Sequence, residues 1–382
     1  MKHQLLTASA LALLLLFGPA GSAKATAQAA SSDSLADSHF LAAELTPQVH
    51  FARTVPAGDY SGVANLGDGR FAVVSDKSRR DGFFVFRVAI DSLSGAITQV
   101  TSEGLRGTVE ENRDAEGIAF LPERGTVAIV GEADSQVREY DLQGQPTGRT
   151  LQLSKGTGNH GYESLTYNAR TGRLWTCTEG MLAQDETLAK ADSALADGSL
   201  LIRLQSFDAD FQPQGTYAYL TDRPLKNASD LRNYAFGVSE LLALDDGSLL
   251  VLEREFAVPH NKLGATVVCK IYRVKPEPPS IFPVEGSFEA QTLPHGGSQR
   301  GLPSAQTLPH RGSWRGLPKT LVAQWTSRLT LLGRSLANYE GMCLGPTLAD
   351  GSQTVVLVAD SQSQAGGVLR DWWRTLVLRK AE

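Results

Sequence analysis

One phrase recurs five times along this chain: a small or acidic residue opens a short apolar run, a glycine turn follows, and a second apolar run ends on an acid. The copies are Tyr60–Asp76, Ala115–Glu132, Tyr162–Glu179, Ser239–Glu253 and Tyr339–Asp360. Two apolar runs about a turn read as a β-hairpin. Hairpins repeated at intervals of roughly 50 to 100 residues read as blades of a propeller, not as one sandwich.

Each hairpin is followed by runs that supply two more strands: Phe83–Ile90 with Ile97–Val100, Val137–Tyr140 with Thr150–Leu153, Leu200–Phe207 with Thr216–Leu220, and Val267–Val274 with Leu321–Trp325. Four strands per unit is the anatomy of a blade. The last unit keeps only Arg374–Arg379, and Phe40–Ala52 from the other end of the chain can complete it. The expectation is an all-β, single-domain β-propeller over 31–382 with five blades, while the interval between Glu240 and Glu340 leaves room for a sixth.

Two stretches interrupt the pattern. Met181–Gly198 is polar and Ala-rich and suits a short helix on a blade edge. Ala290–Ser304 and Ala305–Lys319 are tandem copies with three differences. Their Gly, Pro and polar content predicts a loose surface loop, so deleting Ala305–Lys319 is expected to leave the melting temperature nearly unchanged.

Residues 1–30 read as a cleaved export signal: Lys2 and His3 precede an apolar stretch from Leu5 to Phe17, and A-x-A sites follow at Ala23, Ala25 and Ala27. An exported protein of the periplasm or exterior is expected, without a transmembrane segment or a lipid anchor. A net charge of −5 with mixed signs gives no field for nucleic acid. Cys177, Cys269 and Cys343 show no metal or redox spacing and are expected to be buried thiols. Walker, dinucleotide and G-x-S-x-G motifs are missing from the sequence.

In an innermost hairpin the first residue of one strand lies beside the last of the other, so both ends of the phrase reach one rim of the axial channel. The opening set is Ser61, Glu116, Glu163, Glu240 and Glu340, and the closing set is Asp76, Glu132, Glu179, Glu253 and Asp360. Carboxylates crowded about an axis repel one another until protons, bases or a cation relieve them. An oxygen-only set suits calcium, with Glu116, Glu163, Glu240, Glu340, Asp76 and Asp360 as ligands. Lys77, Arg113 and Arg254 lie next to these acids in sequence and are candidates for holding a phosphoryl group. Glu116, Glu163 and His160 are the candidate catalytic groups. The same acids read equally as fasteners that accept loop amides from neighbouring blades. The fourth copy slips: seven residues beyond Gly69, Gly125 and Gly172 stands an acid, but seven beyond Gly247 stands Arg254, so Glu253 is expected to point away from the axis.

With these motifs in view, the chain resembles the exported bacterial phytase-like family described by "esterase-like activity of phytase". The resemblance rests on Ser61-Gly62, Asp114-Ala115-Glu116-Gly117, Gly161-Tyr162-Glu163-Ser164-Leu165, Ser239-Glu240-Leu241-Leu242 with Leu252-Glu253-Arg254, and Asn338-Tyr339-Glu340-Gly341-Met342 leading to Val358-Ala359-Asp360-Ser361. It implies ester hydrolysis on a small-molecule substrate such as a phosphate ester, with calcium by analogy to propeller phytases. The residues leave three readings open: a calcium-dependent phosphoesterase, a non-catalytic envelope propeller that binds a cation, sugar or peptide, and a carboxylesterase using Ser61 or His160.

Overall fold

The protein is described from a computed structural model that covers residues 40–156, 160–185, 197–277, 316–330, 335–364 and 368–380. The proposed export signal and most of the duplication lie outside the described residues.

The runs read from the sequence form five antiparallel four-stranded sheets. Blade one is β2 (Tyr60–Gly67), β3 (Arg70–Ser75), β4 (Gly82–Ile90) and β5 (Ile97–Gly107), with β1 (Phe40–Leu45) preceding it in the chain. Blade two is β6 (Ala115–Leu121), β7 (Thr126–Gly131), β8 (Gln136–Asp141) and β9 (Pro146–Gln152). Blade three is β10 (Tyr162–Asn168), β11 (Arg173–Thr178), β12 (Leu201–Asp208) and β13 (Pro213–Leu220). Blade four is β14 (Asn233–Ala243), β15 (Leu249–Val258), β16 (Thr266–Val274) and β17 (Lys319–Arg328). Blade five is β18 (Asn338–Thr347), β19 (Gln353–Asp360) and β20 (Trp373–Lys380), and β1 pairs with β20 to finish it. The interval that left room for a sixth blade holds β16 and β17 instead, and the fold is a five-bladed β-propeller.

The innermost strands β2, β6, β10, β14 and β18 touch in sequence around the axis, and β18 returns to β2. Strands buried on both faces should be continuously apolar, and β7 is buried at every residue. The hairpin turns rest on glycines such as Gly125 and Gly172, whose φ of 62° and 64° an L side chain resists. Hydrophobic cores fill the gaps between successive blades. Val73, Phe86, Val356 and Trp373 pack between blades five and one, Leu165, Leu174, Ala128 and Val130 between two and three, and Leu252, Ile271, Leu357 and Leu376 between four and five. Cys177, Cys269 and Cys343 are free and buried in these interiors.

Near the axis the backbones come too close for side chains. A Cβ on Gly62 would stand 2.5 Å from the carbonyl oxygen of Glu116, one on Gly117 2.5 Å from the nitrogen of Leu165, and one on Gly341 2.2 Å from the carbonyl oxygen of Ser61.

Two stretches differ from expectation. Within Met181–Gly198 the described residues contain a single 3-10 turn, Ala183–Asp185, and 186–196 lie outside the description. The end of the second tandem copy is packed, not loose: Leu317 is buried in the core between blades three and four, its N–H donates to Ala218 at 2.8 Å, and Lys319 already opens β17. A Gly-Leu-Pro sequence reads as a turn signal, yet here its leucine finds an apolar gap to fill.

Gly341→Ala should destabilise the protein by about 1–3 kcal/mol or more, because backbone must move to admit the methyl group; chemical denaturation measures it. Deleting Ala290–Ser304 keeps the packed end of the second copy and should leave the melting temperature nearly unchanged. Leu317→Ala, in contrast, should cost about 2–5 kcal/mol.

Candidate functional site

The opening acids owe their position to a defect in pairing. In β6 the register jumps from Ala115 to Gly117, in β10 from Tyr162 to Ser164, and in β18 from Tyr339 to Gly341, so Glu116, Glu163 and Glu340 are unpaired bulge residues. A bulge turns its extra residue out of the pleat. The three acids thereby reach the axial mouth. In β14 the jump is from Val238 to Glu240, which makes Ser239, not Glu240, the counterpart of the opening acids. In blade one Ser61 takes that place, within the jump from Tyr60 to Val63.

The same register settles the fourth closing residue. Val238 pairs with Glu253 and Gly237 with Arg254, so Arg254 stands where Asp76, Glu132, Glu179 and Asp360 stand in the other blades. Glu253 turns to the opposite face, where it accepts the Tyr219 hydroxyl at 2.6 Å, the Lys319 ammonium at 2.7 Å and the amide of Asp222. It is a fastener between blades three and four.

Arg254 is 4% exposed and neutralises one side of the mouth. It donates to Glu179, to Glu340 at 2.8 Å and to Asn338 at 3.0 Å. Burial works against ionisation of Glu179, but Arg254 and His160 hold its pKa below the usual range. His160, half-exposed, donates Nδ1–H to Glu179 at 2.7 Å, and that hydrogen bond raises the imidazole pKa. Glu340 is pushed up to about 7 by burial, with Arg254 opposing the shift. Glu163 is driven well up by burial and then by Glu179 and Glu340.

On the other side, between blades five, one and two, no buried base among the described residues contacts the mouth carboxylates. Asp76 is its centre. Oxygens of Asp76, Asp114 and Glu116 lie within 4.8 Å of one another, and so do those of Asp59, Asp76 and Asp360. The Oδ1 atom of Asp76 is buried without a hydrogen-bond partner. Lys77, its side chain 59% exposed, reaches Asp76 at 2.6 Å and Asp114 at 3.0 Å. Burial, followed by neighbouring acids, drives Glu116 and Asp360 well above the usual range, and burial also raises Asp76. Glu132 joins the two sides: it accepts the Gly161 amide at 2.8 Å and feels Asp114, Glu179 and Lys77.

Asp59 and Asp114 are not among the candidate ligands read from the sequence, although Asp114 stands in one of the family motifs. Both lie across from a closing residue, the place held by Gly161, Gly237 and Asn338 in the other blades. Asp59 is also bound to the last blade through the Ser361 hydroxyl at 3.0 Å and the Ser363 hydroxyl at 2.7 Å, in the manner of a fastener.

Two other named residues lie elsewhere. Arg113 is 7% exposed, and its guanidinium is taken by Asp81, Asp134 and the Tyr140 hydroxyl between blades one and two. The positive φ of 59° at Asp114 turns the chain between them. Glu240 sits one step deeper in the axis than the acidic mouth, where its carboxyl accepts the N–H of Leu241 at 2.9 Å and those of Met342 and Leu165.

Among the described residues no helix is long and apolar enough to cross a membrane. A search of curated proteins returned no match. Among solved structures, similarity extends to a streptogramin B lyase (10% identity, TM-score 0.35, 88% of this chain and 98% of that one). It extends also to the endo-arabinase of Bacteroides thetaiotaomicron VPI-5482 (11%, 0.39, 86% and 95%). A third is CoXyl43, a GH43 β-xylosidase/α-arabinofuranosidase from a compost microbial metagenome (9%, 0.41, 87% and 94%). The fold assignment rests on the five sheets themselves and not on these distant likenesses. Residues 55–362, which carry the bulged acids and Arg254, match the sequence profile of the family described as "Phytase-like: Esterase-like activity of phytase", and the chain belongs to that family.

Proposed function

We propose that the acidic mouth hydrolyses phosphate esters and that it works with a calcium ion centred on Asp76. The observation that carries this reading is the unequal neutralisation of the mouth. One side is closed by the buried Arg254, while among the described residues the only base on the side around Asp76 is the exposed Lys77, and a carboxylate oxygen there is buried and unpartnered. Its donors are all oxygen, which fits a hard cation. Asp76, Asp114, Glu116 and Asp360 would hold the ion. Calcium would supply neutralisation of the acids and polarisation of a phosphoryl oxygen.

Lys77 has the exposure and reach to bind a phosphoryl oxygen once the acids are otherwise neutralised. His160, its pKa raised by the hydrogen bond to Glu179, would deliver a proton to the alkoxide that departs as water attacks the phosphorus, and Glu163, whose protonated form burial favours, would serve as a hydrogen-bond donor in the same mouth. Arg254 contributes from behind by fixing the Glu179 carboxylate that orients the imidazole. Arg113 has no part in substrate binding in this reading.

Phosphate release from a panel of monoesters that includes phytate, with calcium and then with chelator, tests the proposal; p-nitrophenyl acetate serves as the carboxyl-ester control. Release should require calcium, vanish in Asp76→Asn and fall about a hundredfold or more in His160→Asn. Binding of calcium without release from any phosphoester would make the mouth a binding site, the second reading open from the sequence.

Calcium at a hundred times its dissociation constant should stabilise the fold by about 2.7 kcal/mol, seen as a rise in melting temperature that chelator reverses. Asp76→Asn and Glu116→Gln should abolish the rise. Glu340→Gln should keep it, because Glu340 serves Arg254. Chelated protein should also lose stability as pH rises. Glu116, Glu163, Asp360 and Glu340 have folded pKa values above their unfolded ones, so their contribution is full below about pH 4 and is lost as pH climbs through the folded values, which for Glu340 is about 7. Calcium should flatten that decline in a melting-temperature profile.

A further inference from the structure

Blade four stands above the mouth. The other innermost strands begin within two residues of their mouth residue: Tyr60 before Ser61, Ala115 before Glu116, Tyr162 before Glu163 and Asn338 before Glu340. In contrast, β14 begins at Asn233, six residues before Ser239, and its partner β15 runs on to Val258. The pair Asn233–Val258 lies four rungs beyond Gly237–Arg254, so this sheet overhangs the rim by about 13 Å.

The crest of the overhang gathers segments far apart in the sequence. The Arg232 N–H donates to the Val258 carbonyl at 2.8 Å, Ala257 pairs with Thr266, and Thr266 pairs with Arg328. Between β15 and β16 the chain turns over 259–265, where the Lys262 N–H returns to the Pro259 carbonyl at 2.8 Å and the Gly264 N–H reaches that of Leu329 at 3.2 Å. Lys262 takes a φ of 64°, a conformation in which glycine or asparagine would cost less. Leu225 and Lys226 lie against the same sheet lower down, their amides held by the Glu255 carboxylate at 3.0 and 2.7 Å.

Two sets of side chains here lack partners within the chain. Lys226, Arg232, Lys262 and Arg328 are exposed, and among the described residues none of them forms an ion pair or a side-chain hydrogen bond. Lys270 and Lys319 of the same blade, by comparison, are both held by Asp222. Against the four free bases these segments expose one acid, Asp230. Leu225 and Leu263 are 54% and 45% exposed, each next to one of the free lysines. One exposed leucine is ordinary, but two on the loops of one overhanging sheet, flanked by free cations, mark a contact surface.

Shape and chemistry together select the partner. A protruding edge offers no concavity to a small molecule. A soluble polyanion would meet the four cations and leave both leucines in water. An anionic bilayer satisfies both sets, because its headgroups attract the basic ends and hydrocarbon begins a short way beneath them. We propose that the crest of blade four docks on an anionic lipid surface, with Leu225 and Leu263 entering the interface and Lys226, Arg232, Lys262 and Arg328 meeting the headgroups. The mouth opens on the same face of the ring and is thereby held toward that surface.

Co-sedimentation of the full chain with vesicles tests this, using phosphatidylcholine alone and phosphatidylcholine mixed with phosphatidylglycerol, in chelator so that calcium does not bridge protein to lipid. Binding should require phosphatidylglycerol and weaken as salt is raised. Lys262→Gln should weaken it about fivefold, the worth of one basic charge at such a surface. Leu263→Ser should weaken it by a similar factor, and Leu225→Ser should repeat that result from a separate loop, which keeps the test decisive if one variant fails to fold. Leu93→Ser, at an exposed leucine on the turn end of blade one, should bind as the wild type does. Equal binding to phosphatidylcholine alone, no binding to either vesicle, or wild-type binding by both crest leucine variants would overturn the proposal, and the last result would assign the bases to a soluble polyanion.

Discussion

Five strands share one axis in this molecule, and the distance between their backbones governs what each may carry there. Where Gly62, Gly117 and Gly341 meet their neighbours, a methyl group has no room. One residue earlier the bulges open the same strands outward, and the side chains released by them are mostly carboxylates. Steric closeness at one level therefore creates electrostatic crowding at the next. Every property assigned to the mouth follows from that sequence of constraints.

The crowding is resolved differently on the two sides. Around blades three to five Arg254 replaces an acid in the ring, so repulsion becomes a buried network of Glu179, Glu340 and Asn338. A guanidinium suits this place because its fixed fork addresses several acceptors at once. Around Asp76 the only base among the described residues is a solvent-exposed lysine. The ring is thus neutralised by a buried base on one side and by a solvent-exposed one on the other.

Hairpins, blade count and the seam between chain ends were legible because strand periodicity and turn glycines are local signals. The slip in the fourth phrase was legible too, as Arg254 at the seventh position after Gly247. Its companion slip, Ser239 in place of Glu240, was not, since Ser-Glu-Leu-Leu and Tyr-Glu-Ser-Leu look alike until pairing with β15 shows which residue is skipped. Arg113 misled because sequence adjacency to Asp114 says nothing about direction once the chain turns through a positive φ. Asp59 could have been found, and Asp114 promoted from a family motif to a site candidate, by extending the alignment of the phrases one residue upstream. Leu317 was hidden by its Gly- and Pro-rich surroundings, and only the gap between two blades reveals its partners.

The ring is shut by β1 lying along β20, and Thr46 meets Thr375 across 329 positions of sequence. Blades one to four draw their strands from neighbouring stretches of chain and can assemble as they are made, but the fifth must wait for its most remote segment. Contacts of such separation form late and dominate the folding time. A six-residue edge strand held on one side is also the cheapest part of the ring to release. Release of that short clasp is accordingly an expected first step by which heat or proteases would open the ring around its cores.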